Sequence, residues 1–173
     1  MRLFVAIRFS PAVRRALLDG VLLLRGQGRG TFTQAENLHL TLAFLGETDR
    51  ESAAGEALAA VCAQAAPFSM TVGGLGRFGD IWWAGVAENA RLERLALEVQ
   101  QALRARGFSI ERRPWKPHVT LVRRWRGPQP AVRVPDTAMT VDRISLMASR
   151  RTAGRLVYTE LHSWKLSKKP GKP

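Results

Sequence analysis

Apolar residues fall along the chain in two patterns that predict two kinds of element. Short runs that alternate with polar residues, or that are continuously apolar, predict β-strands. Longer stretches with apolar residues three and four apart predict helices. The predicted strands cover residues 2–9, 38–45, 68–75, 81–86, 117 onward, 137–149 and 156–166, and the predicted helices cover about 11–26, 48–66 and 89–106.

Polar residues and glycines mark where these elements begin and end. Ser10 is suited to cap the first helix, and Thr48 with Glu51 predicts a capping box at the start of the second. Gly107 is expected to close the third helix in a left-handed conformation. The glycines within residues 26–30 lack the spacing of a nucleotide-binding loop, and they predict a flexible turn.

Two of the three histidines begin the same kind of four-residue motif. The chain reads His-Leu-Thr-Leu from His39 and His-Val-Thr-Leu from His118. In an extended strand, side chains two apart point to one face, so each motif presents an imidazole and a hydroxyl together. Histidine gives or takes a proton near neutral pH, and a pair can act as acid and base. The repetition predicts two halves of one catalytic site.

The two motifs belong to a longer internal repeat. The order strand, helix, motif strand occurs first over about 3–45 and again over about 81–121. Such a duplication predicts two similar lobes related by a pseudo-twofold axis, with one histidine from each lobe facing a shared groove. Phe9 and Phe44 are expected to lie in the core.

Length and composition favour one compact domain, which we expect to cover residues 1–166. The chain has 173 residues, of which 46% are hydrophobic. The basic tail 167–173 is expected to be disordered. The single Cys62 excludes an internal disulfide. No apolar run is long enough to span a membrane and no signal peptide is evident, so we expect a cytoplasmic monomer without a membrane partner.

The net charge of +13 indicates a polyanionic partner, and phosphate is the expected chemistry. An arginine-rich composition of the source proteome would also raise the charge, so the charge only supports this interpretation. Cations and tryptophans are concentrated around the second histidine. Arginine neutralises phosphate and tryptophan stacks on bases, a combination used to bind single-stranded RNA. The possible RNA contacts are Trp115, Lys116, Arg124 and Trp125.

Four segments, residues 3–7, 36–46, 83–86 and 116–123, carry a likeness to a known family that spans nearly the whole chain. In this order they resemble signatures of the 2H phosphoesterases, and among these the RNA 2′,3′-cyclic phosphodiesterases, also called 2′-5′ RNA ligases. The resemblance implies an α+β fold with two pseudo-symmetric lobes of antiparallel sheet, outer helices and a central groove. It also implies hydrolysis of RNA or nucleoside 2′,3′-cyclic phosphate ends to 2′-phosphates, without metal or cofactor.

The same resemblance suggests roles for the motif residues. It makes His39 the proton donor to the leaving 3′ oxygen and His118 the base that activates water, a choice that residue types alone do not decide. The hydroxyls of Thr41 and Thr120 can donate hydrogen bonds to the nonbridging phosphate oxygens.

Two neighbouring arginines compete for the phosphate. Arg123 matches the position implied by the resemblance, and it is our first choice. Strict strand alternation instead places Arg124 on the face of His118. Arg123 can therefore reach the site only if the strand contains a twist or a bulge.

Three other functions remain open from the sequence. A metal site could use His162 with the other two histidines, but no clustered carboxylate or close histidine pair accompanies it, so we expect His162 to be structural. A noncatalytic RNA-binding module would explain the charge and the tryptophans but not the repeated motif. The joining of 2′,3′-cyclic phosphate and 5′-hydroxyl RNA ends is the reverse reaction, and the same site permits it.

Overall fold

The structure, a computed structural model, describes residues 1–169. Within this range the chain forms nine β-strands, three α-helices and a short 3-10 helix at Ala35–Asn37. The strands are β1 (Arg2–Ile7), β2 (Arg29–Phe32), β3 (Leu40–Glu47), β4 (Phe68–Phe78), β5 (Ile81–Val86), β6 (His118–Arg126), β7 (Val134–Val141), β8 (Arg143–Thr152) and β9 (Arg155–Lys165). The helices are α1 (Pro11–Arg25), α2 (Glu51–Ala63) and α3 (Ala90–Ala105).

The strands form two sheets in which all pairings are antiparallel. The four-stranded sheet has the order β3-β1-β8-β9, and the five-stranded sheet has the order β2-β6-β5-β4-β7. Each motif strand pairs with the strand that opens its own repeat, β3 with β1 and β6 with β5. The predicted α+β fold with two lobes of antiparallel sheet is confirmed.

The helix of each repeat packs on the opposite lobe. Helix α1 follows β1 of the four-stranded sheet but packs against β7 and β6 of the five-stranded sheet, while α3 follows β5 and packs against β3 and α2. This exchange joins the lobes around one core, where each fully buried leucine stabilises the fold by roughly 1.5–3 kcal/mol. Examples from both lobes are Leu17, Leu42, Leu92 and Leu121.

Most helix ends follow the predicted caps. The Oγ of Ser10 accepts a hydrogen bond from the Val13 amide in the first turn of α1. Gly107 has φ 85°, the left-handed conformation predicted beyond α3. The capping box predicted for α2 is wrong. Glu51 is the first helical residue rather than the third, and Thr48 Oγ1 accepts from the amide of Arg50 instead.

Two stretches of strand also differ from the prediction. Residues 137–149, predicted as one strand, lie in two strands that meet at Asp142. The flexible turn predicted over 26–30 contains the start of β2, which pairs with β6. A Cβ on Gly30 would lie 2.6 Å from the Val122 side chain, so a glycine is needed where these strands approach closely.

The ordered chain continues past β9. The amides of Ser167 and Lys168 each donate a 3.0 Å hydrogen bond, to the carbonyl of Cys62 in the last turn of α2 and to that of Ala65 just beyond it. The tail 167–173, predicted to be disordered, is therefore anchored at its first two residues, and residues 170–173 lie outside the described residues. No helix within residues 1–169 is both long and apolar enough to cross a membrane.

Candidate active site

His39 lies just before β3 and is held at both ring nitrogens. Its Nδ1 is 2.6 Å from the carbonyl oxygen of Asn37, and its Nε2 is 2.9 Å from Oγ1 of Thr41. A carbonyl oxygen only accepts, so Nδ1 carries a proton. In the neutral ring, Nε2 then accepts from the Thr41 hydroxyl. Protonation reverses this bond, so Nε2 is the nitrogen available for proton transfer.

His118 repeats this arrangement at the start of β6. Its Nδ1 is 2.8 Å from the carbonyl oxygen of Lys116, again two residues earlier, so Nε2 is left to exchange a proton with a substrate. Thr120 follows His118 in β6 as Thr41 follows His39. Both imidazoles are partly exposed, so solvent reaches each of them.

Each motif strand has a β-bulge at the leucine that follows its threonine. In the pairing of β3 with β1, Leu42 has no partner, and in the pairing of β6 with β5, Leu121 has none. An unpaired residue reverses the alternation of side chains beyond it. Phe44 therefore joins the face of His39 and Thr41 in the first lobe. In the second lobe, Arg123 joins the face of His118 and Thr120 in the equivalent way. The bulge that Arg123 requires is present.

Hydrogen bonds support both bulges from outside the strands. In β3, the Leu42 carbonyl accepts from Nε2 of the buried Gln100 at 3.0 Å, and the Thr41 carbonyl accepts from the Trp115 indole at 3.0 Å. In β6, the Leu121 and Thr120 carbonyls accept from the amide and the hydroxyl of one residue, Thr33, both at 2.9 Å. The carbonyl groups of the bulged backbone are thus hydrogen-bonded where it carries the site.

Positive charges from β6 act on His39 across the groove. Burial is the main reason why the pKa of His39 lies below its ordinary value, and the charges of Arg123 and His118 lower it further, while the bond to Asn37 opposes them. Burial raises the pKa of Tyr158, and the charge of Arg123 again acts in the lowering direction. The charge of Arg123 on β6 thus acts on two groups at the four-stranded sheet, His39 and Tyr158.

Aromatic rings pack against His39. Its ring centroid is 4.9 Å from Phe4 and 5.1 Å from Tyr158, and the Tyr158 contact is edge-on. The Asn37 side chain accepts from the Tyr158 amide and donates to the Leu156 carbonyl, so it ties the residues before β3 to β9. These contacts restrict the rotamer of the imidazole.

A second aromatic pair packs against His118. Its ring centroid is 5.2 Å from Phe78 and 6.1 Å from Trp83. The Nζ of Lys116 lies over both of these rings, at 5.2 and 5.5 Å from their centroids. Of the residues predicted to contact RNA, Lys116 is the one whose charged group lies over rings that pack against a motif histidine.

The other three residues predicted to contact RNA take part in packing or in the backbone geometry of the fold. Trp115 and Trp125 pack against the core, and their indole nitrogens donate to the carbonyls of Thr41 and Pro128. Both indoles therefore have a structural role, and stacking of either on a base stays a prediction. Arg124 has φ 55° and is the extra residue of a further bulge between β6 and β2, which turns it away from the face of Arg123.

The two phenylalanines predicted to be core residues differ. Phe9 is partly buried and packs against the core, whereas Phe44 is 63% exposed. The bulge at Leu42 causes this difference, because it moves Phe44 to the groove face beside Phe4, with ring centroids 6.3 Å apart. The expectation that Phe44 is a core residue was wrong.

His162 does not join the other two histidines. It is exposed on β9, its ring packs at 5.2 Å from Trp164, and its register partner Leu146 faces the core on the side away from the groove. Within the described part of the chain, no group of three or more His, Cys, Asp or Glu side chains is arranged to hold a metal ion.

Sequence reasoning missed several residues that shape the site. The carbonyl of Asn37 could have been noticed, because a residue two positions before a motif histidine shares its face in an extended segment. The contributions of Tyr158 and Gln100 carry no local signal, since they come from β9 and α3.

Each lobe thus presents an imidazole held through Nδ1 and a threonine hydroxyl, and the second lobe adds the guanidinium of Arg123 on the same face. The profile of the 2′-5′ RNA ligase superfamily matches residues 15–153, and the chain belongs to this superfamily.

Named relatives support this membership. The chain is 41% identical over 133 residues to an RNA 2′,3′-cyclic phosphodiesterase of Geobacillus stearothermophilus, a match that covers 70% of this chain and 42% of the relative. It is 32% identical to the enzyme of that name from Thermotoga maritima, over 94% of both chains. The crystal structure of E. coli LigT complexed with 3′-AMP superposes with a TM-score of 0.77 at 30% identity, covering 96% of this chain and 98% of LigT.

Proposed function

We propose that this protein hydrolyses the 2′,3′-cyclic phosphate at RNA 3′ ends, leaving a 2′-phosphate and a 3′-hydroxyl. The observation that carries the proposal is the pair of equivalent imidazoles, each fixed through Nδ1 by a backbone carbonyl two residues earlier and each with Nε2 left for proton transfer. Relatives named for this activity, and a superposable structure that binds 3′-AMP, support the substrate class.

The reaction needs a base and an acid on opposite sides of one phosphorus. Nε2 of neutral His118 takes a proton from water, and the water oxygen attacks phosphorus while the bond from phosphorus to O3′ breaks. Protonated His39 gives the O3′ atom its proton. Water is consumed, and both histidines have exchanged protonation states by the end of the step.

Charge on the nonbridging phosphate oxygens is stabilised by groups on both lobes. We assign this role to the hydroxyls of Thr41 and Thr120 and to the guanidinium of Arg123. The phosphate anion also favours the protonated form that His39 needs to act as the acid. In the free protein the pKa of His39 is lowered, chiefly by burial. A bound anion next to the ring favours the imidazolium and so restores the form that the reaction requires.

Hydrolysis of adenosine 2′,3′-cyclic phosphate tests this function. We expect the wild type to release 2′-AMP in the presence of EDTA, and His39→Gln and His118→Gln each to lower kcat about 10²- to 10⁴-fold. His162→Gln is the matched control, because His162 is exposed on the other face of the sheet. Full turnover by either motif variant would contradict the mechanism. Loss of turnover in EDTA would favour a metal site, and binding without turnover would favour an RNA-binding module.

The joining of RNA ends is a second candidate function, favoured by a cavity beside His118. In-line displacement brings the nucleophile in opposite the leaving oxygen, and therefore on the His118 side if His39 serves O3′. A cavity of about 340 Å³ lies there, bounded by Trp83, Gly85, Lys116 and the first turn of α3. It exceeds what a water molecule needs, and it could admit a nucleoside that carries a 5′-hydroxyl.

Gly85→Ala separates the two reactions. Its added Cβ would meet its nearest neighbours at 3.5 Å, an ordinary contact, so the variant should fold. The methyl group should lower joining to a 5′-hydroxyl oligonucleotide severalfold more than it lowers hydrolysis. Equal effects on both reactions would remove the reason to place the second RNA end in this cavity.

A further inference from the structure

The groove face of the four-stranded sheet carries two arginines, Arg2 and Arg151, that the proposed mechanism does not use. Arg2, Ser149 and Tyr158 are register partners across β1, β8 and β9, so their side chains share one face. Arg151 lies two residues after Ser149 in β8 and points to the same side. The Tyr158 ring contacts His39, which identifies this side as the groove face.

Arg2 and Arg151 lie beyond the aromatic rings that contact His39. Phe4 packs against His39, and Arg2 lies two residues before Phe4 on the same face of β1. Arg151 lies in β8, two residues beyond the register partner of Tyr158. Each arginine is thus separated from His39 by a ring of this face, and the charges of both act on the Tyr158 hydroxyl.

These outer arginines are not engaged by acidic side chains. Within residues 1–169, neither Arg2 nor Arg151 has a carboxylate within ion-pair distance. Glu47, the register partner of Arg2, instead contacts the ammonium group of Met1 at 2.7 Å. Both guanidiniums are exposed and can bind an external anion.

We propose that Arg2 and Arg151, with the Tyr158 hydroxyl between them and the site, bind the phosphodiester immediately upstream of the terminal cyclic phosphate. This proposal rests on the proposed function, because it places a 3′-terminal nucleotide beside His39. The leaving O3′ belongs to that nucleotide, and its strand continues from the His39 side of the groove. The ligand is thus an RNA strand with at least one internucleotide phosphate, rather than a mononucleotide.

Binding of reaction products tests the subsite without depending on turnover. The probes are 2′-AMP, the diadenosine nucleotide that ends in a 2′-phosphate, and the same dinucleotide with a neutral methylphosphonate between its nucleosides. We expect calorimetry on the wild type to show about tenfold tighter binding of the charged dinucleotide than of the other two. In the double variant Arg2→Gln, Arg151→Gln, this preference should fall to about twofold.

The control is the double variant Arg14→Gln, Arg94→Gln, which removes the same charge from exposed positions on α1 and α3. It should retain the tenfold preference. The proposal is overturned if the wild type does not distinguish the three probes, if the methylphosphonate binds as tightly as the phosphodiester, or if both double variants lose the preference equally. Hydrolysis of adenosine 2′,3′-cyclic phosphate, measured in parallel, reports on the proposed function separately.

Discussion

His39 and His118 occupy equivalent positions in the two repeats, yet their surroundings differ. Both rings are anchored through Nδ1 to a carbonyl two residues earlier. His39 is also bonded through Nε2 to Thr41, packs against Phe4 and Tyr158, and has a pKa lowered mainly by burial. The ring of His118 packs against Phe78 and Trp83, and the ammonium of Lys116 lies over those two rings.

The comparison shows what the duplication fixes and what it leaves to divergence. The shared motif and bulge set the position of the proton-exchanging nitrogen in each lobe. The neighbours contributed by other strands differ, and they make one imidazole more enclosed than the other. A bound phosphate favours the imidazolium form of the enclosed His39, which then has a proton to give to the leaving oxygen.

The largest expected effect distinguishes the acid from the base. Replacement of O3′ by sulfur in the cyclic substrate gives a leaving group that departs without a proton. We expect His39→Gln to lose about 10³-fold in kcat on the oxygen substrate but only about tenfold on the sulfur substrate. His118→Gln should lose about 10³-fold on both. Rescue of His118→Gln instead would reverse the roles of the two histidines.

The next effect compares the two residues that the bulges bring to the groove. Arg123 and Phe44 follow their motif histidines by the same five positions, but one is a cation and the other an exposed ring. We expect Arg123→Gln to lower kcat/KM about 10²-fold, because the guanidinium stabilises charge that grows in the transition state.

Phe44→Ala should mainly raise KM, by several-fold, because an exposed ring offers a surface for a base without touching the phosphate. Steady-state kinetics on one cyclic nucleotide measures both changes. A larger loss of kcat in Phe44→Ala than in Arg123→Gln would contradict this division of roles.

The third effect concerns the supports of the bulges. Gln100→Leu removes the buried donor to the Leu42 carbonyl, and an unsatisfied buried acceptor costs about 1–3 kcal/mol of unfolding free energy. The variant should also be less active, because the bulge positions Thr41. Gln101→Leu, the neighbouring exposed position on α3, is the control for urea unfolding. Equal stability of the two variants would show that the Leu42 carbonyl does not depend on Gln100.

Local patterns predicted the parts of this molecule whose causes are local. The caps of α1 and α3 and the two motif strands follow from nearby side chains, and the repeat indicated which strands are equivalent. Phe44 was misplaced because strict alternation contains no bulge, although paired apolar residues after each motif threonine, Leu42 with Ala43 and Leu121 with Val122, are what a bulge leaves in a sequence. Gln100 and Tyr158 could not be found this way, since tertiary packing alone brings them to the site.

The smallest expected effect is a pH dependence of stability that His39 contributes. Burial lowers the pKa of folded His39, whereas the unfolded chain titrates near 6.5. Below about pH 6.5 the unfolded state therefore binds a proton that the folded state resists. The stabilisation is complete above that pH and is lost as the pH falls through the folded pKa. The loss is about 1.4 kcal/mol for each pKa unit that separates the two states.

Urea unfolding at several pH values between 8 and 5 measures this loss. His39→Gln should lose less stability than the wild type over this range, while the exposed control His162→Gln should follow the wild type. Inorganic phosphate should reduce the difference, because an anion beside the ring raises the pKa of folded His39 toward that of the unfolded chain. An unchanged pH dependence in His39→Gln would mean that the burial of this imidazole does not affect the free energy of unfolding. The two histidines would then differ in the side chains around them but not in their effect on stability.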